Sequence, residues 1–142
     1  MTVAAILSSK GRDVVTAEAE TTISKIASLL AQHKIGAVVI LAGNGSVSGI
    51  ASERDVVRQI ANMGSKALNV PISACMTRDV VSCADNDTVD AVMEQMTTGR
   101  FRHIPVITDG KLSGIISIGD VVKRKIEQTE RDAAELKRYI AG

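Results

Sequence analysis

Two short strings hold the residues best placed to do chemistry. They are Gly49-Ile50-Ala51-Ser52-Glu53-Arg54-Asp55 and Gly114-Ile115-Ile116-Ser117-Ile118-Gly119-Asp120, and both read Gly-Ile-x-Ser-x-x-Asp. In each, an apolar strand-like run ends at the Ser and a helical pattern begins after it. A helix N-terminus carries unpaired N–H groups and the positive end of the helix dipole, so it favours an anion. The Ser hydroxyl can cap the helix or donate to a phosphate. The carboxylate three residues on can accept hydrogen bonds from the 2′ and 3′ hydroxyls of a ribose, at about 1.5–3 kcal/mol for each charge-assisted bond. The same pair serves equally well as an N-cap and a first-turn acid. The residues alone leave both readings open.

The elements that position these strings form an internal repeat. Asp13-Val14-Val15 aligns with Asp79-Val80-Val81 at a spacing of 66, which also matches Thr22 with Thr88 and Ile23 with Val89. Ile23, Ile26, Ala27 and Leu30 fall on one helical face, as do Val89, Val92, Met93 and Met96. Thr21 and Asp87 are the expected N-caps. Each helix is followed by two apolar runs, Ala37–Leu41 with Val47–Ala51 and His103–Ile107 with Leu112–Ile116. The loops between them carry hairpin turn residues. Copy two is one residue shorter there, so Asp55 matches Asp120 at a spacing of 65. The predicted unit is strand, helix, strand, strand, helix, used twice, with Gly64–Pro71 as linker. The last helix is predicted from about Asp120 to Tyr139. Its outer part, rich in alternating charges, reads as a solvated face. The fold class is α/β (α+β): residues 1–69 form the first motif with its N-terminal segment and linker, residues 70–142 the second with its extended helix. The two pack about a pseudo-twofold axis, because half the chain alone buries little core.

Composition removes several function classes. With 45% hydrophobic residues the 142-residue chain can bury a core, which argues against disorder. Aromatic residues are 1%, so no aromatic platform exists for single-stranded nucleic acid. The net charge of +1 provides no basic field for duplex DNA or a membrane surface. No run reaches the ~20 apolar residues of a membrane span. The apolar start, Val3–Leu7, is too short for a signal peptide. Cys75 and Cys83 then read as thiols in a reducing compartment, which points to the cytoplasm. Cys75, Cys83, His33 and His103 lack metal-ligand spacing, and no nucleophile–base pair is visible. Gly43-x-Gly45-x-x-x-Gly49 imitates a dinucleotide fingerprint but lies between two strand patterns, so it reads as a hairpin. Met93 and Met96 read as core. His103 reads as a half-exposed structural residue or a phosphate ligand.

The duplicated string, Met76-Thr77 ahead of the second Asp-Val-Val, and Arg102-His103-Ile104-Pro105-Val106 together resemble the CBS-domain family. The resemblance runs from about Val3 to Ile126, with Ala4–Ser8 as a divergent counterpart of Ser73–Thr77. It implies a tandem pair, a Bateman module, that binds adenine nucleotides (AMP, ADP, ATP or NAD(H)) for regulation, without catalysis and without a required metal. It also implies sites shared between copies. One would join Ile115, Ser117 and Asp120 to Val15, Ile35 and Gly36. The other would join Ile50, Ser52, Arg54 and Asp55 to Val81, Phe101 and Arg102. Thr77 and Asp79 complete the set, and Arg102, His103 and Arg54 are the phosphate cations. Copy one has Gly36 and Ala37 where copy two has Arg102 and His103, so the sites are unequal. The family further implies a homodimer, a flat disc of four motifs in which Ile60, Met63 and Ile126 are contacts, and an unidentified effector protein as a further partner. The competing reading is a ligand-free interaction or scaffold module with vestigial sites.

Overall fold

The computed structural model describes residues 1–141 and shows the repeat as two packed α/β halves. An N-terminal helix α1 (Val3–Lys10) leads into β1 (Thr16–Glu18), α2 (Ile23–His33), β2 (Ala37–Leu41), β3 (Val47–Ser52) and α3 (Glu53–Met63). Short 3-10 turns at Gly64–Asn69 and Ile72–Ala74 fill the linker and the start of copy two. Then come α4 (Val89–Gly99), β4 (His103–Thr108), β5 (Lys111–Ser117) and α5 (Ile118–Ala141). Copy one forms the sheet β1-β2-β3, parallel then antiparallel, and β4-β5 is the antiparallel hairpin of copy two.

Copy two lacks the full first strand expected there. Only Cys83 reaches the sheet: its N–H donates to the Pro105 carbonyl at 3.0 Å, and its carbonyl accepts from Ile107 N–H at 2.9 Å. The caps also differ from expectation by one residue. Thr22 Oγ1 accepts from Lys25 N–H at 3.2 Å and Thr88 Oγ1 from Ala91 N–H at 3.1 Å. Thr21 and Asp87 are occupied one turn earlier, accepting from Glu18 N–H and Ala84 N–H. The last helix starts at Ile118, two residues before Asp120, because the residue after Ser117 is already helical.

Each copy's leading segment is seated on the other copy. Val3, Ile6 and Leu7 of α1 are buried with Val89, Val92, Met96, Ile104 and Ile116 of copy two. Ile72 and Met76 are buried with Ile23, Ile26, Val38 and Ile40 of copy one. The backbone pairings match as well: Thr2 bridges Thr88, and Pro71 bridges Thr22. A Cβ on Gly114 would meet Leu7, and one on Gly49 would meet Met76, so Leu7 and Met76 hold equivalent places. Burying these side chains supplies the core that neither half has alone, at about 1.5–3 kcal/mol per large apolar side chain.

Candidate functional site

Both Ser-x-x-Asp strings fold as reciprocal caps. At the end of β3, Ser52 N–H donates to Asp55 Oδ2 at 2.9 Å, and Asp55 N–H donates to Ser52 Oγ at 3.3 Å. At the end of β5, Ser117 N–H donates to Asp120 Oδ2 at 2.8 Å, and Asp120 N–H donates to Ser117 Oγ at 3.2 Å. The cap reading is therefore realised twice, through Oδ2 alone. Among the described residues, Oδ1 of each Asp accepts no hydrogen bond, so each box keeps a carboxylate oxygen for a ligand. Antiparallel pairing explains the placement. Ser52 pairs with Ala37 and Ser117 with His103, so the next amides, Glu53 N–H and Ile118 N–H, reach the Gly36 and Arg102 carbonyls at 3.0 and 2.8 Å. Those first amides are consequently not free for an anion.

The facing residues are positioned by the ends of α2 and α4. Each helix stops on a left-handed residue, Lys34 with φ 55° or Arg100 with φ 57°. The chain thereby turns through Ile35-Gly36 or Phe101-Arg102 into the next strand. Phe101 lies directly over Gly99, where no Cβ could fit. The His103 ring covers Gly36, with both Cε1 and Nε2 3.0 Å from where a Cβ would be. Gly36 and His103 thus join the two copies across the pseudo-twofold.

The two boxes differ in what lies on them. In copy one, Ile50 exchanges two backbone hydrogen bonds with Thr77: Thr77 N–H donates to the Ile50 carbonyl at 2.9 Å, and Ile50 N–H donates back at 3.0 Å. In copy two, the Ile115 carbonyl instead accepts from Lys10 Nζ at 2.9 Å, and the same ammonium donates to Asp120 Oδ2 at 2.7 Å. Burial works against the charge of Asp120, but the bonds from Lys10 and Ser117 outweigh it and hold the carboxyl below its usual range. Burial, with Lys10 nearby, also pulls His103 below the ordinary histidine value, against the opposing influence of Asp120 and Glu53. Lys10 was not among the sequence-predicted site residues. It closes α1, in a stretch where the two copies do not align, so the repeat gave no signal for it.

Not every predicted residue converges. Val15 and Ile35 pack against the copy-one core, while Val81 is 41% exposed and Arg54, Thr77, Asp79 and Arg102 are exposed. Val81 and Phe101 line a cavity of about 580 Å3 along α4 with Asp87 and Glu94, and Ser52 and Asp55 do not line it. A smaller cavity of about 100 Å3 joins Asp120 and Lys10 to Ser9, Lys123 and Arg124. No group of three His, Cys, Asp or Glu suited to a metal occurs among the described residues. Cys83 is pushed up to about 12 by burial and by Asp87 and Asp85, and Cys75 is raised by burial and Asp55, so both free thiols stay protonated. No helix is long and apolar enough to cross a membrane among the described residues.

Two α/β repeats that exchange their leading segments and end each hairpin on a capped carboxylate define a tandem pair of one motif. The chain belongs to the CBS domain family, whose model matches residues 3–62 and 72–127. It is 29% identical over 99% of its length to the mitochondrial CBS domain-containing protein CBSX3 of Arabidopsis thaliana, covering 72% of that protein. Among solved structures it is similar to a CBS-domain containing protein from Agrobacterium tumefaciens, with 50% identity, a TM-score of 0.86, and 88% and 99% of the two chains covered. It is also similar to a CBS domain protein from Pyrobaculum aerophilum complexed with AMP, with 27% identity, a TM-score of 0.76, and 84% and 89% covered.

Proposed function

We propose that this chain is a regulatory module that binds an adenine nucleotide, AMP, ADP, ATP or NAD(H), and catalyses no reaction. The observation that carries the reading is the pair of capped carboxylates, each with Oδ1 unengaged beside the start of a helix. The AMP held by the Pyrobaculum aerophilum relative supports it. In this account Asp120 and Asp55 accept from ribose hydroxyls, and aliphatic residues such as Ile115, Val15 and Ile35, or Ile50 and Val81, flank the base. Lys10 supplies the positive charge at the Asp120 box, with the His103 imidazole as a neutral donor beside it, while Arg54 and Arg102 serve the Asp55 box. Ligand hydroxyls reach Asp120 through Oδ1, and Lys10 turns from Asp120 and Ile115 toward the phosphate. No activated nucleophile is part of this reading: both thiols stay protonated, and the Ser117 hydroxyl, paired across the ladder from His103, is engaged by the Asp120 N–H.

The same reading places the protein in the cytoplasm and makes it a homodimer, a disc of four motifs that presents Val57, Ile60 and Met63 of α3 and Ile126 of α5 to its copy. These side chains are all exposed. The occupied state of Asp120 favours a second reading, in which that box is vestigial and the chain is a scaffold. A thermal-shift panel separates the two. A ligand at a hundredfold excess over its Kd stabilises the fold by about 2.7 kcal/mol. Stabilisation by AMP, ADP, ATP or NAD(H) supports the sensor, and none by any of them supports the scaffold.

A further inference from the structure

We propose that α5, from Val122 to Ile140, pairs with α5 of a second copy of this chain as a parallel, in-register two-stranded coil. α5 runs from Ile118 to Ala141, and Val121 is its one fully buried side chain. Another face carries Val122, Ile126, Thr129, Ala133, Leu136 and Ile140, spaced alternately by four and three residues. At about 100° per residue these six form one narrow stripe with the 3.5-residue period of a coiled-coil seam. Every one is exposed, Leu136 by 59% and Ile140 by 75%. Thr129 spends its hydroxyl on the Lys125 carbonyl at 2.9 Å, which satisfies its polar group within its own helix. The alternating charges that suggest a solvated face flank this stripe rather than replace it.

Those flanking charges select the occupant and its direction. Lys125 and Asp132 lie on one side of the stripe, Glu130 and Lys137 on the other. In a parallel pair, each residue on the Lys125 side meets the residue five places further on in its copy. Lys125 then meets the partner's Glu130, and Asp132 meets the partner's Lys137, both attractive. In the antiparallel pairing that matches the same layers, Asp132 meets the partner's Asp132, Glu130 meets the partner's Glu130, and Lys123 meets the partner's Lys137, all repulsive. Lys125 also binds Asp90 of its own chain at 2.8 Å, so Asp132 with Lys137 is the cleaner pair. Neither of these two makes an ion pair among the described residues.

Sedimentation of the full chain over a dilution series, with charge-exchanged variants, tests the pairing. Asp132→Lys and Lys137→Asp should each weaken self-association about tenfold, because two symmetry-related attractions become repulsions. The double variant should restore it to within about twofold. Unchanged association in both single variants, a monomer at every concentration, or failure of the double variant to recover would overturn the proposal. Should a tight disc mask these changes, Leu136→Cys under mild oxidant gives a second readout. A self-disulfide must form, faster than any crosslink in the unsubstituted chain, and faster in the charge-restored background than with Asp132→Lys alone. Its failure to form also overturns the proposal. These residues lie outside both boxes, so AMP affinity should be unchanged, and an AMP result of either sign bears on the nucleotide reading alone.

Discussion

The box at Asp55 and the box at Asp120 descend from the same string yet are held differently. Asp55 stands beside a backbone bridge, Ile50 with Thr77, that a side-chain substitution leaves in place. Asp120 stands beside a side-chain clamp, Lys10, that reaches across from the opposite end of the chain. The difference originates in the leading segments. The stretch before β1 is a full helix whose last residue, Lys10, can reach the copy-two box, whereas Ile72–Ala74 is a single 3-10 turn that continues as backbone onto β3. A rigid bridge makes a permanent wall. An ammonium on four methylenes can swing away, so a duplicated string yields one box bounded by fixed backbone and one bounded by a yielding side chain.

The largest expected effect concerns the exchanged segments. Leu7→Ala removes a fully buried side chain from the copy-two core and should cost about 2–5 kcal/mol in urea unfolding. A cost below about 1 kcal/mol would mean that α1 is not an integral part of that core. Next come the glycines that open the two strings. A Cβ on Gly49 would lie 2.9 Å from the Thr77 carbonyl oxygen and 2.7 Å from Met76 Sδ, so rigid backbone must move. A Cβ on Gly114 would meet only the tip of Leu7, at 2.9 Å. Gly49→Ala should therefore cost about 1–3 kcal/mol and Gly114→Ala less. The reverse order in thermal denaturation would break the contrast between fixed and yielding boxes.

Smaller effects sharpen the contrast. Lys10→Met removes a partly exposed ion pair and should cost about 0.2–1 kcal/mol at neutral pH. Because Lys10 holds Asp120 below its unfolded value, its contribution is present above about pH 4 and is lost as the pH falls through the folded value. Stability curves of Lys10→Met and the unsubstituted chain should converge at that acid end, and a constant gap would contradict the clamp. The smallest effect belongs to His103. Its folded value lies below the unfolded one near 6.5, so the unfolded chain takes up the proton first and stability declines as pH drops below about 6.5. His103→Gln should flatten that slope in the same scan, and an unchanged slope would assign it elsewhere.

Much of this was readable from residue patterns. The helical faces from Ile23 and Val89 are buried as spaced, and the Asp109-Gly110 turn closes its hairpin with both residues at positive φ. Gly-Ile-x-Ser-x-x-Asp does mark a strand-to-helix junction in both copies. What escaped depended on contacts distant in sequence. Both Thr21 and Thr22 can cap a helix, and the choice fell to Thr22 because the Thr21 hydroxyl accepts from Glu18. The apolar run Val3–Leu7 announces burial without saying on which half. Val81-Ser82-Cys83 has strand-like residues, but only Cys83 finds ladder partners. Lys10 is one lysine among many until the fold brings it to Asp120, 110 residues away in sequence.

Calorimetric titration with AMP, compared with its 2′,3′-dideoxy analogue, tests the central claim most directly. If Asp55 and Asp120 hold ribose hydroxyls, AMP should bind saturably and the dideoxy analogue at least about tenfold more weakly, since one lost charge-assisted bond is about 1.5 kcal/mol. Asp55→Asn and Asp120→Asn should each weaken binding at its own box by about tenfold or more. Equal affinity for AMP and the dideoxy analogue, or AMP affinity unchanged by both substitutions together, would contradict the account.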